Sequence, residues 1–332
     1  MIGARIAARA SVAALLLTCT GCGSDQSAVN PSSRPARDIT TLWWWMMSIA
    51  WIALAVVVGI LLVAFVRRGR AAGDRSDRAG WAVVLTNGIA LPLVVLVALF
   101  VIADVFLIRT TRAPAQGATD MTVEVVGHQW WWEFRYPGHP AVTANELHIP
   151  TGTRVEIVAT TADVIHSFWV PALNRKIDMI PGSRNRIELD ADRPGRYRGQ
   201  CAEFCGLQHS HMGLYVVAEP PSRFQAWLAR QSSPSRTPAG ALQRQGADLV
   251  INGSCADCHT IRGTAASGTV GPDLTHVASR STLAGLTLFN DRAGLASWIT
   301  GNQTLKPGNQ MPNIELPPDE LSAVIAYLES LR

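Results

Sequence analysis

Charge is what this 332-residue chain has least of: 16% of its residues are Asp, Glu, Lys or Arg, while 48% are hydrophobic. The scarcity is local. Residues 42–66 carry no charged side chain over 25 positions, and residues 81–108 carry only Asp104. Both runs exceed the roughly 20 apolar residues that cross a bilayer, which leaves a buried hairpin in a soluble protein as the weaker alternative. Nor is there a basic surplus elsewhere: residues 113–220 hold 9 basic and 12 acidic side chains, and residues 241–332 hold 6 and 8. The net charge of +4 therefore marks no nucleic-acid surface. Cysteine is also scarce, with six residues that fall as three pairs, 19/22, 201/205 and 255/258. Each pair fits a disulfide in an oxidising compartment, but the neighbours of the last two favour another use.

The segment joining the two apolar runs, residues 67–80, holds five arginines (67, 68, 70, 75 and 78) against two aspartates, the excess expected on the cytoplasmic side. Both outer ends of the pair then face outward. Trp43, Trp44, Trp45 and Trp81 lie at the ends of the spans, where interfacial aromatics belong. Residues 1–22 place Arg5 and Arg9 before an apolar run, Val12–Leu17, and Thr-Cys-Thr-Gly-Cys, which reads as a secretory signal. Cys22 after Thr20-Gly21 is placed like a bacterial lipoprotein acceptor, although Cys19 stands where leucine is usual, so lipidation stays open. The expected location is the bacterial plasma membrane, with two spans and the remaining domains on the outer, periplasmic side.

Residues 42–108 are thus a two-helix transmembrane hairpin. From 113 to 220, short runs such as ELHIPTGTRVEIVATT and GLYVVAEP alternate apolar and polar residues between Gly, Pro, Asn and Asp, as in an antiparallel β sandwich. The Trp130–Trp132 run reads as strand, with at least one ring packed in the core. Residues 221–240 read as a linker ending in SSPSRTPAG, although SRFQAWLARQ within it has helical spacing. The last 92 residues, 241–332, read as a small all-α domain. It has helices at 241–252 and about 318–331, the latter with Leu321, Ile325, Leu328 and Leu331 on one stripe, and Gly-rich loops between them.

Soft ligands concentrate in Gln200–Met212, QCAEFCGLQHSHM. Cys201, Cys205, His209 and Met212 bring thiolate, imidazole and thioether together, the donors that suit copper. His166, in ADVIHSFWVP, is the natural further ligand from a second loop, against the alternative of a buried histidine with a satisfied ring. A single blue-copper site needs only one cysteine, and a Cys₂His₂ zinc site leaves Met212 idle.

The second centre is covalent. Cys255-Ala-Asp-Cys258-His259 is the c-type haem attachment signature: each thiol adds to a vinyl group, and the adjacent histidine lies under the iron as proximal ligand. For the sixth ligand there is a choice between Met311, 52 residues beyond His259, and His276, only 17 residues along, which must double back. Met311 is favoured.

Cys201-x-Glu203-x-Cys205-Gly206-x-x-His209-x-x-Met212, with Asp163-Val-Ile-His166-Ser and Gly127-His128-Gln129-Trp130-Trp131-Trp132 upstream, resembles subunit II of haem-copper cytochrome c oxidases over about residues 40–220. The resemblance implies a cupredoxin-like sandwich with a dinuclear CuA centre. In it Cys201 and Cys205 bridge two coppers, His166 and His209 each bind one, Met212 is a weak ligand, and Glu203 ligates through its backbone carbonyl. It further implies a magnesium at the Glu203 side chain shared with subunit I, and Trp130 as the point where electrons come in; His211 falls outside the motif. One departure is Leu85, where the family often has a glutamate about seven residues before the proline that here is Pro92; this puts the proton route in doubt. The C-terminal part resembles a class I cytochrome c through Gly271-Pro272-Asp273-Leu274 and Met311-Pro312, which implies that Pro272 packs beside the proximal histidine.

Together these resemblances imply the electron-input subunit of a proton-translocating respiratory oxidase. Electrons pass from a donor such as a cytochrome c or a quinol–cytochrome c reductase to haem c, Trp130 and CuA, and then to the haem of subunit I, where oxygen becomes water; subunit III is a further expected partner. This chain contains no oxygen site of its own and is an enzyme only as a subunit. Two alternatives are the input subunit of a copper-containing nitric oxide reductase and a membrane-tethered copper-binding or copper-delivery protein, the latter disfavoured by the haem motif.

Overall fold

Hydropathy divides the chain first. The computed structural model describes residues 26–68, 77–111, 113–115 and 117–332; the secretory signal, Cys19, Cys22 and most of the arginine-rich segment lie outside them. Residues 37–112 form one unit, and residues up to 36 together with 113–332 form another.

In the first unit, α1 (Arg34–Arg67) is one uninterrupted helix. Helix α2 (Asp77–Leu85) passes through a π-helical turn, Thr86–Ala90, into α3 (Leu91–Thr111). The π turn ends two residues before Pro92, which cannot donate a backbone hydrogen bond. Two stretches, Arg34–Arg67 and Gly80–Val105, are long and apolar enough to cross a membrane. Trp51, Ile52, Leu61, Val66, Leu96 and Phe100 are all exposed, as lipid-facing side chains must be. Two polar side chains within the spans bond their own helix: Ser48 Oγ donates to Trp44 O (2.8 Å) and Asn87 Nδ2 to Val83 O (3.2 Å), which suits a medium without water.

Ten strands make the sandwich. One sheet has the order β3 (Val142–Ala144), β2 (Trp131–Arg135), β1 (Met121–His128), β5 (Val155–Thr161), β8 (Asn185–Leu189). The other runs β4 (Glu146–Pro150), β10 (Gly213–Glu219), β9 (Gly195–Cys201), β6 (His166–Trp169), β7 (Ile177–Met179). Most pairs are antiparallel, as the alternation predicts, but β1 with β5 and β4 with β10 are parallel. Alternation specifies faces, not directions, and these parallel pairs arise where the chain crosses between sheets. Val123, Val125, Phe134, Ile157, Phe168 and Leu214 fill the interior; burial of each such side chain contributes about 1.5–3 kcal/mol.

Trp130 is not in a strand. Gln129 and Trp130 form the two-residue turn of the β1–β2 hairpin, with His128 opposite Trp131. Trp132 is the core ring, fully buried, and Trp131 stacks on His128 with centroids 4.2 Å apart.

The expected linker is shorter than its composition implies. Residues Pro221–Ser232 are helix α4, whose Phe224, Trp227 and Leu228 belong to the sandwich core. His148 stacks on Trp227 at 4.1 Å, and Gln231 Nε2 donates to Val142 O (2.8 Å). Only residues 233–240 of the expected linker lie outside helix and strand.

The C-terminal domain has α5 (Ala241–Ile251), the short α6 (Cys255–Cys258), a two-stranded ribbon β11 (Thr282–Leu283) and β12 (Leu288–Phe289), α7 (Arg292–Leu305) and α8 (Pro318–Ser330). Helices α5 and α8 cross at Gly246, where a Cβ would lie 1.9 Å from Ala323 O. Ile325, Leu328 and Leu331 are buried, as the stripe predicts, and Leu321 is partly so. Helix α7 replaces an expected loop. Its signal was weakened by Gly294 and Gly301, yet Leu295, Ile299 and Asn302 share a buried face and Asp291 Oδ1 caps it from Gly294 N–H at 2.7 Å.

Candidate functional site

The soft donors of the sandwich meet at one end. Strand β9 finishes at Cys201 and β10 starts at Gly213, so the loop between them is pinned at both ends; Cys201 N–H donates to Met212 O at 3.0 Å. Strand β6 pairs with β9, placing Phe168 opposite Cys201 and bringing His166 to the same end. The sulfurs of Cys201 and Cys205 are 3.7 Å apart. His166 Nδ1 lies 3.8 Å from Cys201 Sγ, and His209 Nδ1 lies 3.6 Å from Cys205 Sγ. Met212 Sδ is 3.8 Å from Cys205 Sγ, and Cys201 Sγ donates to Glu203 O at 3.2 Å. Two thiols in the middle thus have an imidazole on each side, with a thioether and a carbonyl flanking. Among the described residues, His166, Cys201 and Cys205 hold their donor atoms within 4.8 Å of one another.

The electrostatics fit a soft cation. The Cys205 thiol, with help from His166 and backbone hydrogen bonds at Glu203 and Ser167, outweighs burial and pulls Cys201 down to about 3, while the same bond and burial push Cys205 up. One proton leaves the pair readily, and the second leaves only if a positive charge sits between the sulfurs. His166 is fully buried, and its Nε2 lies 2.8 Å from Asp163 Oδ1; donation there leaves Nδ1 with its lone pair toward the sulfurs. Burial pushes the Asp163 carboxyl up, but His166 and the N–H groups of Gln129 and Val164 outweigh it and hold it below the usual range. Gly127 leaves room for the ring: a Cβ there would lie 2.8 Å from His166 Cδ2.

Asp163 orients this histidine, so Asp163→Asn should weaken copper binding by about 10–100-fold while the fold survives, checked by competition with a chelator of known affinity. The Asp-x-x-His spacing was the available signal, and by itself it is common.

Trp130 is 7% exposed. Its Nε1 donates to Cys205 O at 2.9 Å, and Gln129 Nε2 donates to the same oxygen at 2.8 Å. Gly206, with φ of 110°, allows this approach, since a Cβ there would sit 3.2 Å from the Trp130 ring. Trp132 Nε1 donates to Met212 O at 3.2 Å. The Glu203 side chain is half exposed, with Oε2 3.6 Å from Lys176 Nζ and Oε1 accepting from Phe204 N–H at 3.2 Å. His211 is exposed and bonds Gln208 at 2.8 Å.

In the C-terminal domain Cys255, Cys258, His259 and Met311 line one cavity of about 210 Å³, together with apolar residues such as Val277, Leu295 and Ile299. His259 Nδ1–H donates to Pro272 O at 2.7 Å, so its Nε2 keeps the lone pair that an iron needs. Gly271 is required beside it: a Cβ would lie 2.5 Å from His259 Cε1. Arg280 Nε and Thr282 Oγ1 are buried without hydrogen-bond partners, and both residues line the cavity, as expected of groups that await acidic substituents on a bound macrocycle. His276 is turned elsewhere; its Nε2 bonds Ser233 O at 2.9 Å. One wall of the cavity comes from the sandwich, through Gln129, Trp130, Trp131 and Asn145.

Fold and sites together define a membrane-anchored redox protein, with a soft-metal sandwich and a c-type haem domain that share a wall. Residues 141–219 match the sequence model of the periplasmic domain of cytochrome c oxidase subunit II, and residues 243–332 that of cytochrome c. Cytochrome c oxidase subunit 2 of Alkalihalophilus pseudofirmus is 33% identical over 330 residues, 96% of this chain and 95% of that one. The Bacillus subtilis protein of the same name is 28% identical, covering 95% of each. A crystal structure of the periplasmic domain of subunit II from Bradyrhizobium japonicum aligns with 35% of this chain and 97% of its own, at 29% identity and a TM-score of 0.33. The chain belongs to the cytochrome c oxidase subunit 2 family. It is accordingly a subunit of an oxidoreductase, with copper and haem c as its cofactor classes and a catalytic subunit I as its partner.

Proposed function

We propose that this chain is the electron-input subunit of a respiratory oxidase of the bacterial plasma membrane, in which a c-type haem feeds a dinuclear CuA centre. When bound, the haem and the copper pair supply one-electron redox chemistry. The chain's own residues hold and align them. Cys201, Cys205, His166, His209, Met212 and the Glu203 carbonyl would hold the copper pair, and Cys255, Cys258, His259 and Met311 would hold the haem. Trp130 sits between the sites, bonded to the Cys205 carbonyl and lining the haem cavity. That double contact is the observation that carries the reading. Burial of both sulfurs would keep water from the metals, and the loop pinned by Cys201 N–H on Met212 O would hold the ligands in place.

The Glu203 carboxylate would serve as one oxygen ligand of a magnesium shared with subunit I. The donor, a cytochrome c or a quinol–cytochrome c reductase, reaches the haem domain; subunit III completes the assembly, and oxygen is reduced in subunit I. The test is spectroscopic, on the full chain supplied with copper and haem: a c-type haem band, near-infrared absorption and a multi-line EPR signal from a shared unpaired electron are expected. A site that takes only zinc overturns the reading, and turnover with nitric oxide in place of oxygen overturns the oxidase assignment.

A further inference from the structure

Lys306 is one of two lysines among the 29 basic residues of this chain, and it is 2% exposed. It follows α7 in the haem domain, yet its ammonium reaches into the sandwich. Nζ donates to Trp130 O at 2.7 Å, His211 O at 2.9 Å and Ala284 O at 3.0 Å. The three donors of the ammonium thus meet three carbonyls. They belong to three segments: the β1–β2 turn, the copper loop one residue before Met212, and the tip of the β11–β12 ribbon.

The ribbon tip is shaped for this contact. Ala284, Gly285 and Leu286 have φ of 55°, 68° and 70°, a left-handed run that alanine and leucine adopt only when their surroundings hold them there. It aims Ala284 O at Lys306, and Gly285 O accepts from Gly213 N–H at 3.2 Å. Leu286 covers Gly213, where a Cβ would lie 2.9 Å from Leu286 Cδ1. Gln208 Nε2 adds a bond to Pro307 O at 2.9 Å.

We infer that Lys306 is an interdomain latch, a positioning residue that seats the haem domain on the copper loop by joining the carbonyls of Trp130, His211 and Ala284. The inference rests on the reading of the two sites as redox partners. A compact ammonium suits the place, because three carbonyls converge on one point and the planar fork of arginine does not. Seated in this way, the haem domain covers Trp130 and keeps the cavity wall in register with the copper loop. Removing the ammonium deletes three charge-assisted bonds and takes their donor from the Trp130 and His211 carbonyls, while Ala284 O keeps Thr287 Oγ1–H at 2.8 Å, so the seating constant should fall by about a hundredfold.

The linker permits a direct test on the full chain, loaded with copper and haem and held at pH 6, below the value of about 7 to which burial lowers Lys306. A specific protease site inserted at the exposed Arg236 is cut, after which only non-covalent contacts join the two domains. In the unsubstituted protein the nicked halves should co-elute, and haem-to-copper electron transfer should not change on dilution. In Lys306→Met the halves should separate about a hundredfold more readily, with transfer that slows on dilution while haem and copper spectra stay unchanged. Lys306→Gln, which keeps two donors, should fall between. Co-elution and dilution-independent transfer in Lys306→Met overturn the latch. So does loss of the haem band in both variants, which makes Lys306 part of the haem domain's own fold. If the unsubstituted chain passes no electron between the sites, the redox reading falls, and co-elution still decides the latch.

Discussion

Cys205→Ser is expected to abolish the copper centre while leaving the haem band intact. Cys205 is the hub of the site, with Cys201, His209 and Met212 all within 3.8 Å of its sulfur. A serine hydroxyl is hard, is protonated at neutral pH, and does not bridge two soft metals. The backbone around it does not depend on the sulfur, because Gln129 and Trp130 bond the Cys205 carbonyl and Cys201 N–H closes the loop on Met212 O. The loop should therefore stay folded and lose the copper pair. Metal analysis should show at most one copper per chain, the near-infrared band should vanish, and oxidase turnover should fall by more than about 100-fold, beyond the effect of altering an outer partner. A variant that retains two coppers and the band would remove Cys205 from the centre.

The second large effect concerns the haem. Replacing Cys255 and Cys258 together by alanine removes the covalent attachment, and the domain then has to keep an apolar cavity of about 210 Å³. At about 24 cal/mol per Å³ that void costs up to about 5 kcal/mol, comparable with the whole stability of a small domain. Leu295 and Ile299 from α7 and Leu328 from α8 line it, so they lose packing partners at once. The expected outcome is an unfolded segment from 241 onward beside a sandwich that still binds copper. Differential scanning calorimetry should show the loss of one of two transitions, and the residual one should match that of the sandwich alone. Two retained transitions would show that the haem adds little to the fold.

The extent to which the sequence was legible differs from element to element. The β10 run GLYVVAE was readable because period two is a local property, and its inward residues are buried as expected. Helix α4 was readable as a helix and misplaced as a linker, because periodicity does not say which core a stripe faces; Phe224 and Trp227 decide that. Trp130 reads as strand in the sequence because three consecutive tryptophans hide a two-residue turn. Arg280 and Thr282 at the haem cavity carried no signal, since a lone arginine or threonine is ordinary anywhere on a surface.

Sequence alone determined the chemistry of this protein. Ligand type and spacing within Cys201–Met212 and Cys255–His259 are short-range facts, and so are two uncharged runs long enough to span a bilayer. Only the tertiary structure decided how the two sites face each other. Residues 130, 211, 284 and 306 share no periodicity and lie far apart along the chain; their meeting follows from how two folded domains pack, and a buried ammonium with three carbonyls around it exists only once they have.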